Sequence, residues 1–183
     1  MVASNSLFNR PIICKDLHIM SNDAHDLDFI RAQGPAYLAH LLLRLADELV
    51  RGGGQWYPRM GVTAPPRTTS TLLALDEHGP LAVTEIAGLL RQSHPLVIDW
   101  CRDLTALGFI AKETDPKDRR RTLVDLTPSG RAEVGRLRGA LVQMAAASQA
   151  LMDEAGPGLF DALWRMEAAL RHRRFADRLG DGD

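Results

Sequence analysis

Only two residues, Arg91-Gln92, separate two short stretches whose apolar side chains recur at helical spacing, and this restricts the fold more than any other feature of the chain. The first stretch, Val83 to Leu90, points Ile86, Leu89 and Leu90 to one side. The second begins at Ser93, whose hydroxyl is placed to cap free backbone N–H groups, and runs through Val97, Trp100, Cys101 and Leu104 to Gly108. A link this short can only be a tight turn, so the pair is predicted to be a helix-turn-helix.

After Gly108 the period changes. Phe109 to Thr114 and Thr122 to Leu126 are strand-like, and the polar segment 115–121 between them is too long for a two-residue hairpin turn. That segment, Asp115-Pro116-Lys117-Asp118-Arg119-Arg120-Arg121, is expected to project into solvent as a charged finger. Lys117, Arg119, Arg120 and Arg121 place cations on the loop, with Asp115 and Asp118 spaced to hold one or two guanidiniums. An ordered arginine on a thin hairpin can enter a DNA minor groove, which is about 6 Å wide and strongly negative over A·T tracts.

The flanks read as helices. Gly34-Pro35 opens one in which Tyr37, Leu38, Leu41, Leu42, Leu45 and Leu49 recur at three- and four-residue steps, and Gly52-Gly53-Gly54 is expected to end it. Trp56 to Gly61 reads as an aromatic loop, and Pro65-Pro66 opens a second helix that stops at Gly79-Pro80. Thr127-Pro128-Ser129-Gly130 starts a long helix whose seam includes Val134, Leu137, Leu141 and Met144, broken at Gly156-Pro157-Gly158. A last helix carries Leu159, Phe160, Leu163, Trp164, Leu170 and Phe175 and ends rich in Arg. The fold class is therefore mainly α with a small β-hairpin: a winged helix-turn-helix with N- and C-terminal dimerisation helices. The expected organisation is an arm over 1–33, a dimerisation helix and loop over 34–60, the winged helix over 61–128, and C-terminal dimerisation helices and tail over 129–183.

Composition limits the functional classes. With 22 Lys plus Arg against 23 Asp plus Glu, the net charge is −1, so nucleic-acid contact must come from local clustering. The longest apolar stretch, Ala36 to Leu45, is interrupted by His40 and Arg44 and falls short of the ~20 residues of a membrane span. Met1 to Arg10 lacks the pattern of a secretory signal, and a cytoplasmic location is expected. Cys14 and Cys101 suggest neither a disulfide framework nor a zinc finger; Cys101 reads as a buried small hydrophobe and Cys14 as an ordinary thiol. His18, Asp23, His25, Asp26 and Asp28 form a loose string with no frame to fix metal geometry, so neither a metal nor a cofactor is expected. No Gly-rich phosphate loop, nucleophile elbow or His-Glu-x-x-His motif is present, and an enzyme is not expected.

Several blocks resemble the MarR family of bacterial transcriptional regulators: Gly79-Pro80-Leu81, Thr84-Glu85-Ile86-Ala87, Ser93-His94-Pro95, Leu104 to Ile110, the finger Asp115 to Arg121, and Val124-Asp125-Leu126-Thr127-Pro128-Ser129-Gly130. The resemblance is specific over about 61–131 and architectural over 34–179. It implies a homodimer whose two reading helices sit one DNA turn apart, ~34–36 Å, on double-stranded DNA with a palindromic operator, most simply as a repressor. The helix from Ser93 would lie in the major groove, with Gln92, Ser93, His94 and Leu96 nearest bases or phosphates and Arg102 reaching the backbone. Lys117, Asp118, Arg119, Arg120 and Arg121 would form the wing contact. The chain departs from the family at Ile98 and Asp99, where a small hydroxyl residue and an arginine are common, and a carboxylate there would repel phosphates.

The resemblance also implies an effector cleft between the dimer helices and the DNA-binding lobe. His40, Arg44, Trp56, Tyr57, Arg59, Met60 and Thr69, with Thr68 and Ser70 beside it, are placed to line it, and aromatic walls plus an arginine would suit a small aromatic carboxylate or phenolic compound. The alternative reading is a dimeric ligand-binding or protein-interaction regulator of the same fold with weak or no operator binding.

Overall fold

The computed structural model describes residues 28–180, divided after Ala46 into two compact units. Cys14 and the ligand-rich string from His18 to Asp26 lie outside the described residues, as does most of the arm.

In the first unit, the short helix α1 (Phe29–Ala32) is capped by Asp28, whose Oδ1 accepts the N–H groups of Ile30 at 2.8 Å and Arg31 at 3.2 Å. Its Oδ2 takes the Arg44 guanidinium at 2.7 Å. A 3₁₀ turn over Gly34–Tyr37 leads into α2 (Leu38–Trp56), whose residues Leu38, Leu41, Leu43 and Leu45 are exposed.

The glycine triplet does not end α2, which continues through Gly54 to Trp56. Three glycines cost roughly 1 kcal/mol each against alanine, so tertiary packing overrides propensity here. Gly53 is buried, and an added Cβ would already touch Met144 and Pro66 at 3.6–3.9 Å. The aromatic segment after it is a 3₁₀ turn, Tyr57–Met60, rather than a loop. Another such turn, Pro66–Thr68, precedes α3 (Thr69–His78).

Helices α4 (Val83–Leu90) and α5 (His94–Ala106) follow as the spacing predicted. Strands β1 (Ile110–Thr114) and β2 (Thr122–Leu126) pair antiparallel from Ile110 opposite Leu126 to Thr114 opposite Thr122. A third element was not legible in the sequence: Leu81 exchanges two backbone hydrogen bonds with Val124, at 3.0 and 2.8 Å, and fastens the hairpin to the segment before α4. The long helix α6 (Pro128–Ala155) and α7 (Leu159–His172) complete the chain, with a 3₁₀ turn over Ala176–Arg178.

Two apolar clusters hold the second unit. One joins Leu72, Leu75, Ile86, Val97, Leu104, Ile110 and Val124, fixing α3, α4, α5 and the hairpin as one body. The other joins Tyr57, Val62, Leu137 and Ala140 under α6. Between them, Glu133 of α6 is fully buried, and its Oε1 accepts the N–H groups of Thr63 at 2.5 Å and Ala64 at 2.7 Å. Among the described residues no helix is long and apolar enough to cross a membrane.

Candidate nucleic-acid interface

The turn between α4 and α5 is closed by Arg91, which adopts the left-handed φ of 52° that usually favours glycine and donates its N–H to the Gly88 carbonyl at 3.2 Å. Gln92 donates its N–H to Ala87 O at 3.0 Å and leaves its side chain in solvent. Ser93 occupies the N-cap of α5 in extended geometry but makes no side-chain cap hydrogen bond, contrary to expectation. Its hydroxyl and the N–H groups of His94 and Leu96 therefore remain available to an external acceptor, and the partial positive charge of a helix N-terminus favours a phosphate.

The buried side of α5 is Val97, Cys101 and Leu104; His94, Leu96, Ile98, Asp99 and Arg102 face outward. Burial pushes the Cys101 thiol above its ordinary pKa, which makes it inert rather than reactive. Asp99 is not left as an isolated anion: Arg102 Nη2 donates to its Oδ1 at 2.8 Å. The acidic departure at this position carries its own counter-ion, and the same pair engages the cation expected to reach the DNA backbone.

The finger is folded by its own acids. Asp115 is buried, accepts the Lys117 N–H at 2.8 Å and lies 3.8 Å from the Arg121 guanidinium. Backbone hydrogen bonds between Asp115 and Arg121 and between Arg121 and Asp118, both 2.9 Å, close the loop. Asp118 Oδ1 accepts the Arg120 N–H at 3.0 Å, so this residue shapes the tip instead of offering a contact. Arg121 pairs with Glu85 of α4. Lys117, Arg119 and Arg120 are exposed and, among the described residues, have no ion-pair partner. Three of the expected wing cations are therefore presented to solvent, while the fourth holds the base of the wing.

The residues expected to line an effector cleft fall in both units. In the first unit His40 is exposed and Arg44 is paired with Asp28. In the second, Tyr57 is core, Met60 packs against it, Thr69 is buried and donates to the Pro66 carbonyl at 2.9 Å, and Arg59 is exposed. Trp56 alone of that set lines a cavity of about 580 Å³ between α2 and α6. Its partners there, among them Gly52, Gln143, Met144 and Ser148, carry no local sequence signal, because α2 and α6 meet only in the fold.

A MarR family model matches residues 61–121, from the segment before α3 through the loop of the wing. Among solved structures, Bordetella bronchiseptica BpsR, whose DNA binding is regulated by 6-hydroxynicotinic acid, is 27% identical with a TM-score of 0.57, over 72% of this chain and 98% of that one. The repressor CouR, solved bound to a 23-mer DNA duplex, is 25% identical with a TM-score of 0.58, over 73% of this chain and 92% of that one. A probable transcriptional regulator from Pseudomonas aeruginosa shares the fold at 22% identity and a TM-score of 0.58, over 73% and 96% of the two chains. No curated protein matches.

Proposed function

We propose, from the premise that this chain is a winged-helix protein of the MarR family, that it is a sequence-specific DNA-binding transcriptional repressor. It acts as a homodimer on a palindromic operator, and a small aromatic or phenolic ligand relieves repression. The observation that carries the reading is the finger: Lys117, Arg119 and Arg120 stand exposed and, among the described residues, without ion-pair partners, on a wing whose base is anchored to α4 of the helix-turn-helix. A loop ordered by Asp115 and Asp118 delivers those cations without a large entropic cost of fixing the backbone on binding. CouR and BpsR, the first solved on DNA and the second described by the regulation of its DNA binding, support the DNA and effector halves respectively.

Dimerisation is supported by apolar surface that is exposed among the described residues. On α7, Phe160 and Trp164 are 54% and 56% exposed, with Leu159 and Leu163 beside them. A contiguous apolar face of this kind marks an interaction surface, and a second copy covers it without any further partner.

The test is selection of genomic fragments by the purified protein followed by footprinting. The expected result is a protected inverted repeat, with Arg120→Ala weakening binding while the protein remains dimeric. Absence of any protected repeat would remove the reading.

A further inference from the structure

Asp99 stands on the outermost line of α5. Successive helical residues turn by about 100°, so Pro95, Asp99, Arg102 and Ala106 share the line opposite the buried Val97, Cys101 and Leu104. Arg102 Nη2 lies 2.8 Å from Asp99 Oδ1, yet the two side chains remain 69% and 57% exposed. The second carboxylate oxygen and most of the guanidinium N–H groups are thus open to an outside partner. An ion pair as exposed as this adds little to stability, so the fold itself gives no reason for a carboxylate at the centre of the face.

In a major groove a carboxylate can meet few edges. Phosphates repel it, as do the base acceptors, and only the amino groups of cytosine N4 and adenine N6 donate. In an A·T pair that amino group lies between two acceptors, adenine N7 and thymine O4. A G·C pair instead presents two guanine acceptors, N7 and O6, and then the cytosine N4 donor. Arg102 and Asp99 carry the complement of that order, guanidinium donors beside a carboxylate acceptor, already held side by side. The pairing also offsets the repulsion that a lone carboxylate would bring against the DNA backbone.

We propose that Asp99 and Arg102 read one C·G base pair in each half-site as a unit, Asp99 accepting from cytosine N4 and Arg102 donating to guanine. Asp99 then sets base specificity instead of merely opposing DNA. The proposal rests on the DNA half of the reading above.

The experiment is selection of sites from a random duplex library by the purified full-length wild type, Asp99→Asn and Asp103→Asn, followed by titration of the selected sites. Asp103 is exposed next to Arg102, so Asp103→Asn removes the same charge from the same helix while sparing the pair. The wild type is expected to enrich half-sites with a fixed C·G pair, and its exchange for T·A to weaken binding about tenfold or more. Asparagine bonds adenine through N6 and N7, so Asp99→Asn is expected to move the preference at that position from cytosine to adenine, with melting temperature maintained. Asp103→Asn is expected to keep the wild-type preference. A measurement on the DNA side needs no variant: N4-methylcytosine at the fixed position is expected to weaken wild-type binding about tenfold or more. Identical sites for wild type and Asp99→Asn, the same shift in Asp103→Asn, or full affinity for the N4-methylcytosine duplex would overturn the proposal and leave the operator reading intact. Failure of all three proteins to enrich any site would remove both.

Discussion

Arg121 at the base of the wing is ion-paired with Glu85 in the first turn of α4, through the same Oε2 that accepts the Ala82 N–H at 2.8 Å. One carboxylate thus caps the first helix of the helix-turn-helix and anchors the second strand of the wing. The Ala82 N–H, with the Arg121 guanidinium next, holds the Glu85 carboxyl below its ordinary pKa. Arg121 and Arg120 are therefore neighbours in sequence with different work. Arg121→Ala is expected to lower the melting temperature and reduce amide protection at Leu81 and Val124, whose bridge lies beside the pair. Arg120→Ala is expected to leave both unchanged and to weaken DNA binding. Identical thermal behaviour of the two variants would refute the distinction.

Glu133 is a buried charge that the fold satisfies fully. Burial opposes its ionisation, but the Ala64 N–H, the Arg136 guanidinium and the Thr63 N–H outweigh it and hold the carboxyl below its ordinary value. Glu133→Ala would strand two backbone donors and is expected to cost about 3 kcal/mol in urea denaturation. Because the folded-state pKa is depressed, the contribution is present above the unfolded value of about 4.3 and lost as pH falls through the folded value. Glu133→Gln should flatten the stability profile in that acidic window and leave its shape near pH 7 unaltered.

Gly130 sits where α6 departs from the wing. An added Cβ would lie 2.0 Å from the Phe109 carbonyl oxygen and 2.9 Å from its carbon, both rigid backbone atoms. The same joint is fastened by Thr127, which donates its hydroxyl to Gly108 O at 2.6 Å and accepts the Gly130 N–H at 3.0 Å. Gly130→Ala is expected to destabilise the protein by about 3 kcal/mol, since neither strand nor helix can retreat without breaking these bonds. Denaturant titration would read it directly.

Arg91 combines a left-handed backbone with a long-range ion pair, its guanidinium donating to Glu167 of α7 at 2.8 Å. Arg91→Ala keeps the backbone strain and loses the pair, whereas Arg91→Gly loses the pair and relieves the strain. The glycine variant is expected to exceed the alanine variant by about 1 kcal/mol, measured as the difference in unfolding free energy.

Local periodicity made α4 and β2 legible to the residue, because each is short, apolar on one side and bounded by turn-forming residues. The glycine triplet misled for the converse reason: its penalty is local, while the packing of Gly53 on Met144 and Pro66 that overrides it joins distant segments. Wing cations were recognisable as a run, but only the fold shows that Glu85 claims Arg121 and that Asp118 bonds the backbone rather than a guanidinium. Of the cavity between α2 and α6 only Trp56 was singled out in the sequence, since charge and aromaticity stand out there while residues such as Gly52, Ala147 and Ser148 do not.

The most direct test of DNA reading by the finger is the salt dependence of operator affinity for the wild type and for the triple variant Lys117→Ala, Arg119→Ala, Arg120→Ala. Each phosphate contact contributes about −0.9 to the slope of log affinity against log salt. Two wings per dimer should make the variant's slope shallower by about 2 to 5, with dimerisation preserved. A slope equal to that of the wild type would contradict the account.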